Sequence, residues 1–542
     1  MKITDSWLKL FFVFSLITSS PIVADDSFHN EFNSIGKKLE SLHLESLPIK
    51  DNGRLKPLDT FARETNLFVT GKKSLFGLSA SSFFLALHKY PNISSLRIIN
   101  IRDTHLRESL NLEKGRTLFS LNEIEKTNIQ QLAMPAFEVE QKNKKLLTPL
   151  QTSQIELVHQ TSVVRSIGSG DVLTQGLIYD DFPSDHYLPE SLEGLLSLAQ
   201  FNNNESVMNS MTKEIHQTVL NQKMNPEFEI QRTKMGIEVF YNQWNFFLFA
   251  GLFYLLLSFA LFLPYVEKKL SDRTIVTLLT IPLLFLITGF SLRVYITDFP
   301  PVTNMYGTMV WVSFGISLFS YIFYFLYKDR SILGIMSLGI ALLLLLTDNI
   351  PLIISPSMDP IMAVLRSSYW LTIHVLTVTI SYAAFSMAMI LGNVIIVKSL
   401  LNKVNDEEVK RFSHYAYRSI QLGVLLLTAG IILGGVWADY SWGRFWGWDP
   451  KETWALIADL GFLALLHGRY VGWIRPMRLL VLAPLTYLLV IMAWFGVNFV
   501  LSAGLHSYGF SSGGTFMVVT VIAVQLLLYA AYSSKLVLHS KK

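Results

Sequence analysis

The chain has 542 residues, of which 51% are hydrophobic and 16% charged, well below the roughly 25% charged residues of ordinary soluble domains. A formal net charge of +4, with no Lys/Arg-rich block, argues against nucleic acid as a partner. The absence of cysteine excludes disulfides, thiolate metal sites and thiol redox chemistry within the chain.

The apolar residues are unevenly distributed. Residues 1–24 carry Lys2 and Lys9, a short apolar core from Leu8 to Ile17, and Ala24 before two aspartates. This pattern predicts an export signal. It is cleaved after Ala24 or retained as an anchor, since Ile22 is larger than the residue usual at that place. Residues 25–243 read as a soluble, exported domain, large enough for its own core, with helical periodicity near 190–220 and no assignable fold. Its histidines show no metal-ligand spacing.

Nine apolar windows follow, near 245–264, 274–294, 308–327, 331–348, 370–397, 418–437, 454–472, 478–501 and 514–533. Each, at about 18–25 residues, is long enough to cross a bilayer as a helix. The expected fold is an all-α polytopic membrane helical bundle of about nine transmembrane helices over 244–535, with the exported domain at its N-terminal side. Basic residues cluster in alternate connections: Lys268, Lys269 and Arg273; Lys328 and Arg330; Lys398 to Arg418; Arg469 to Arg478; and Lys535 to Lys542. The positive-inside rule makes that side cytoplasmic. The opposite, periplasmic side then holds 25–243 and the segments 295–307, 349–369, 438–453 and 502–513.

The segment 438–454 stands out. It places Trp442, Trp446, Trp448 and Trp454 within thirteen residues, in a chain with 11 tryptophans in all. An interfacial aromatic belt is one reading, because Trp favours the headgroup level. A belt scatters its aromatics over many helix ends, however. Here they are packed together with Gly443, Gly447, Asp449 and Pro450, which suits a platform for a large planar ligand. Arg444 and Lys451 are placed to meet carboxylates on such a ligand's edge. Asp449, Pro450 and Glu452 also match a helix start, so Asp449 caps a helix or orients a tryptophan.

Five histidines lie beyond residue 243. His374 falls at the outer end of its span and His506 just outside another. His467 falls within an apolar window nearer the cytoplasmic side, where ionisable residues are rare and usually functional. Its other reading is an interfacial residue beside Arg469. His414 and His539 fall in basic segments and read as solvated.

The run Trp442-Gly-Arg-Phe-Trp-Gly-Trp-Asp-Pro-Lys-Glu-Thr-Trp454 resembles the tryptophan-rich "WWD" signature of haem-handling membrane proteins, most closely the CcsA (ResC) type of the system II cytochrome c synthetase. Pro301–Tyr306, Ser368–His374 and Gly496–Phe510 resemble further segments of that family. Leu47–Phe61 resembles a stretch of its long and fused versions. The resemblance implies cytochrome c biogenesis in a bacterial inner (cytoplasmic) membrane. Haem b crosses the bilayer and is presented at the outer face for attachment to CxxCH apocytochromes c, a haem lyase-type reaction. It implies His374 and His506 as axial ligands of external haem iron, His467 as a ligand of haem inside the bilayer, and the tryptophan loop with Arg444 and Asp449 as the cradle. A CcsB/ResB-type membrane partner would supply the second ligand of the inner site, because the residues before 244 show no span that carries one. Thiol-reducing proteins would act indirectly, on the apocytochrome. Two alternatives are a system I haem-handling or ligase relative and a haem transporter with no ligation role. The matches at 47–61 and 496–510 favour system II, and no inverted repeat of the transporter kind is visible.

Overall fold

The computed structural model describes residues 26–143, 147–172, 192–197, 205–221, 226–300, 302–351, 353–359, 369–501 and 514–540. The export signal, His506 and most of the 496–510 stretch lie outside the described residues. The chain forms two compact units, one from residues up to 50 and 58–223, the other from 51–57 and 224 onward.

The first unit is mostly helical: α1 (Asp26–Glu40), α2 (Leu58–Thr70), α3 (Ala80–Lys89), α4 (Thr104–Ser109), α5 (Leu121–Glu125), α6 (Ile129–Asn143), α7 (Pro149–Ser169) and α8 (Glu205–Asn221). The strands β1 (Pro48–Asp51) and β2 (Arg54–Pro57) precede α2 in the chain, residues 51–57 belonging to the second unit. Strand β3 (Arg97–Asn100) pairs antiparallel with β4 (Leu118–Ser120). Phe32, Phe83, Phe84, Ile99, Phe119 and Val164 are buried in its core. Capping boxes fix two helix starts, Ser120 with Glu123 and Thr148 with Gln151. Each satisfies backbone N–H groups that a helix start leaves without partners.

The second unit contains α9 (Pro226–Gln243), α10 (Phe246–Phe262), α11 (Pro264–Glu267), α12 (Asp272–Thr297), α13 (Met305–Tyr327), α14 (Arg330–Asn349), α15 (Tyr369–Leu400), α16 (Asp406–Trp442), α17 (Pro450–Tyr470), α18 (Pro476–Ile491), a π-helical stretch Met492–Leu501, and α19 (Gly514–Ser540). Ser271, Asn304, Asp329, Asn405 and Asp449 cap helix starts with their side chains. Eight helices among the described residues are long and apolar enough to cross a membrane. They take in every window read from the sequence except 454–472. That window is helical too, as α17, but Asp459, His467 and Arg469 dilute its apolar character. Outward-facing leucines such as Leu256, Leu326, Leu425 and Leu527 give the bundle an apolar exterior. Such a surface suits contact with a bilayer. The protein is a polytopic helical membrane protein.

Two polar anchors order the connections at one end of this unit. Arg293 of α12 is 4% exposed. Its guanidinium donates to the Pro356 and Ser357 carbonyls (3.1 and 3.3 Å) and to the Tyr241 hydroxyl (3.2 Å). Asn304 donates to the Ser355 and Ser357 carbonyls (3.2 and 2.8 Å). Together they pin the 353–359 strap against the end of α12 and the start of α13. Residues 51–57, within the stretch that resembles fused family members, join the same unit. There Arg54 forms a two-pronged ion pair with the buried Glu238 of α9 (2.7 and 2.8 Å). Lys56, also buried, meets Asp51 at 2.6 Å and Asp359 of the strap at 3.9 Å.

Removing one partner of a buried ion pair leaves the other charge uncompensated. Arg54→Ala should therefore destabilise this unit by about 3 kcal/mol. Thermal unfolding in detergent checks it, with Arg54→Glu/Glu238→Arg recovering part of the loss.

Candidate functional site

The tryptophan segment spans three settings rather than one loop. Residues Ala438–Trp442 continue α16, which ends only at Gly443, where φ is +68°. Asp439 to Trp442 offer no reason to break a helix, and the glycine supplies the left-handed cap. Trp442 therefore sits on the last turn of α16, Trp446 and Trp448 on the connection, and Trp454 in the first turns of α17.

The connection is folded tightly over the start of α17. The Glu452 carboxylate accepts from the Gly447 and Asp449 amides (2.9 and 3.2 Å). Asp449, 5% exposed, accepts from the Lys451 amide (2.9 Å) and completes a capping box with Pro450 at the first helical position. The Arg444 guanidinium lies over Gly447, where a Cβ would fall 2.5 Å from its Cζ. Trp446 and Trp448 stand at right angles, 5.8 Å apart. Trp448 is held at φ +56° and remains 71% exposed. A bulky residue in the left-handed region costs about 1–2 kcal/mol, so the fold spends backbone strain to display an indole. Phe445 and Tyr440 are exposed beside it. Trp442 packs edge-on against the buried Trp437 (centroids 4.6 Å apart), which the sequence reading did not single out.

His374, in the first turns of α15, lies against the same end of α16. Its Nδ1 donates to the Gly430 carbonyl at 2.7 Å. A carbonyl only accepts, so Nδ1 carries the proton of this contact. Metal-ligating histidines are commonly held in this way, one ring nitrogen donating to a backbone carbonyl. The neighbouring glycines hold both parts of the site. The imidazole lies over Gly434, and the Phe445 ring over Gly435. The structure thus brings His374, Trp442, Arg444, Trp446, Trp448 and Asp449 to one end of the bundle.

Two other motif stretches converge there. Lys451 Nζ donates to Asn498 Oδ1 (3.3 Å). Asn498 Nδ2 contacts Met305 Sδ (3.4 Å), and Trp494 Nε1 donates to the Thr308 hydroxyl (3.0 Å). Asn498 and Trp494 sit on the π-helical stretch, a form that recurs at functional sites. This polar chain links 301–306, 442–454 and 496–510. The sequence reading named the three stretches separately and missed Asn498 and Trp494.

His467 occupies the last turn of α17, thirteen residues from Trp454, or about 20 Å along the axis at 1.5 Å per residue. Its ring is exposed on the outside of the bundle. It is not part of the cluster around His374. Asp459, on the same helix between the two, is 4% exposed and accepts from the Thr428 hydroxyl at 2.8 Å. The sequence reading also missed this acid, although an aspartate inside an apolar window was visible. His414 stacks edge-on with Tyr327 (5.6 Å) away from the site.

Glu452 satisfies two amides of the aromatic connection at once. Glu452→Ala should cost about 1–2 kcal/mol. It should also raise amide hydrogen exchange at Gly447–Asp449 while leaving exchange in α15 unchanged.

Residues 302–506 match the family model described as Cytochrome C assembly protein. The chain is 37% identical over 301 residues to the cytochrome c biogenesis protein CcsA of Prochlorococcus marinus, covering 48% of this chain and 93% of that protein. It is 31% identical over 260 residues to CcsA of Cyanophora paradoxa, covering 39% of this chain and 79% of that protein. It is 29% identical over 495 residues to protein NrfI of Wolinella succinogenes, covering 84% of this chain. The chain spans about half the length of NrfI, 53% of it. Assembly of cytochrome c implies the handling of haem. A polytopic helical bundle, the tryptophan-rich connection and these similarities lead to one assignment: the chain belongs to the CcsA family of cytochrome c biogenesis proteins.

Proposed function

We propose that the chain delivers haem b across a bacterial inner membrane and presents it at the periplasmic face for covalent attachment to CxxCH apocytochromes c. In this reading it is the CcsA-type part of a system II cytochrome c synthetase. The observation that carries it is the hydrogen bond that holds His374. Its Nδ1 donates to the Gly430 carbonyl, which orients the ring beside an aromatic connection strained so as to expose Trp448.

Each residue then has a task. His374 and His506 are the axial pair of the external haem, and two imidazoles on opposite faces give a six-coordinate iron. Trp442, Trp446, Trp448 and Trp454 supply aromatic surface for the macrocycle. Arg444, whose side chain is exposed, meets a propionate. Asp449 acts through the capping box and shapes the connection rather than touching the cargo. His467 binds haem on the inner side. Its exposure on the bundle surface suits a site completed by a CcsB/ResB-type membrane partner. The chemical step belongs to haem and substrate. Each apocytochrome thiol adds across a vinyl group, forming a C–S bond while the thiol proton goes to the other vinyl carbon. No oxidant is consumed. Both thiols must arrive reduced, and a chain without cysteine cannot reduce them, so other proteins do.

The experiment co-expresses the chain with a CcsB-type partner and a CxxCH reporter. The wild type should co-purify with low-spin, six-coordinate haem. His374→Ala and His506→Ala should each weaken the low-spin spectrum and lower holocytochrome yield about tenfold or more, as loss of a positioned group does. His467→Ala should lower haem content of both sites, because it acts earlier. Wild-type spectra and yield from His374→Ala and His506→Ala together would contradict the assignment.

A further inference from the structure

We propose that Gly434 is a positioning residue for His374, setting the tautomer and orientation of the outer iron ligand. This rests on the assignment of His374 as that ligand.

Inside a helix the Gly430 carbonyl serves the amide four residues on. It has a second lone pair, and His374 Nδ1 reaches it at 2.7 Å. A ring can approach a helix backbone so closely only where the helix is bare. A Cβ at Gly434 would lie 2.5 Å from His374 Cε1, 2.7 Å from Nδ1 and 3.1 Å from Nε2. The turn below the imidazole on its own helix is already filled. One turn below it, Val378 is pressed onto Gly430, where a Cβ would lie 2.6 Å from Cγ2 and 3.1 Å from the Val378 amide nitrogen. An added methyl at 434 must therefore push the ring off the Gly430 carbonyl. Without that bond the Nδ1 proton is no longer held, and either ring nitrogen can face the iron. The carbonyl bond also raises the basicity of the ligand and so tunes the potential of the iron it holds. Gly435, the next residue, seats Phe445 of the aromatic connection, a Cβ there falling 2.5 Å from the Phe445 Cζ. Adjacent glycines thus register the ligand against the platform.

The test is a cycle of four full-length chains, each co-expressed with the CcsB-type partner and the CxxCH reporter: wild type, Gly434→Ala, His374→Ala, and the double variant. Low-spin haem absorbance per folded protein, reduction potential and holocytochrome yield are read for each. Gly434→Ala should lose low-spin signal, shift the potential and lower yield by about tenfold. The double variant should match His374→Ala, since the alanine at 374 leaves space for the new methyl and nothing remains to position. Gly423→Ala on the same helix is the packing control. Its Cβ would press the Phe385 ring just as closely, at 2.5 Å, three turns from Gly434, and its haem spectrum should stay that of the wild type. If Gly434→Ala fails to accumulate because methyl and imidazole collide, the double variant should accumulate again. A double variant that also fails, a further loss of yield on adding Gly434→Ala to His374→Ala, or wild-type behaviour of Gly434→Ala while His374→Ala is impaired would each overturn the inference alone. Wild-type behaviour of His374→Ala would instead remove the ligand assignment beneath it.

Discussion

Helices α15 and α16 approach closely at Gly430, against the Val378 backbone, and at Gly434, which the His374 ring covers. In a bilayer there is no hydrophobic driving force between helices, so close van der Waals packing and interhelical hydrogen bonds do that work. Small residues permit the approach, and the His374–Gly430 bond uses it. Much of this end of the bundle is assembled on this contact. Trp437 and Trp442 cover one side of the end of α16, and Phe445 covers another. Thr428, two residues before Gly430, ties α16 to α17 through Asp459. Trp311 ties α13 to α15 by donating to the Leu376 carbonyl at 3.3 Å. Widening the α15–α16 contact would disturb His374 and the aromatic connection together.

Helix α17 gives the second constraint. Its start is the capped end that carries the aromatic connection, its middle holds the buried Asp459, and its last turn holds His467. One helix thus joins the aromatic connection to His467, about 20 Å further along its axis. Its polar residues keep it out of the eight helices apolar enough to cross a membrane. Ionisable groups inside a bilayer are expensive, and where they occur they tend to serve a function. The same trade-off is visible at Trp448, where backbone strain is tolerated to hold an indole in the open.

Much of this was legible in the sequence, for reasons that differ by level. The spans were visible because burial in lipid imposes about 20 apolar residues per crossing, and the aromatic connection because tryptophan is rare enough for a cluster to carry information. The capping role of Asp449 followed from Pro450 and Glu452. Three things were not legible. The end of α16 was placed at residue 437 because apolar character ends there, whereas a helix ends where the backbone can turn, at Gly443. The Gly430-Ile-Ile-Leu-Gly434 spacing was present as a signal of close helix packing, but nothing in the chain says that a histidine 56 residues earlier fills the space. The chain from Lys451 through Asn498 to Met305 joins residues 193 positions apart and depends on the three-dimensional fold. The first unit gave little away, since it carries no apolar run of membrane length.

The central claim is that His374 presents Nε2 to haem iron beside the tryptophan connection, with Nδ1 held by Gly430. A cryo-electron microscopy structure of the chain with its membrane partner and bound haem tests it most directly. The account predicts a macrocycle against Trp446 and Trp448, its iron bonded to Nε2 of His374, and the Nδ1–Gly430 contact kept. Haem bonded through Nδ1, or lodged away from α15 with the His374–Gly430 bond intact and its Nε2 turned from the iron, would contradict it.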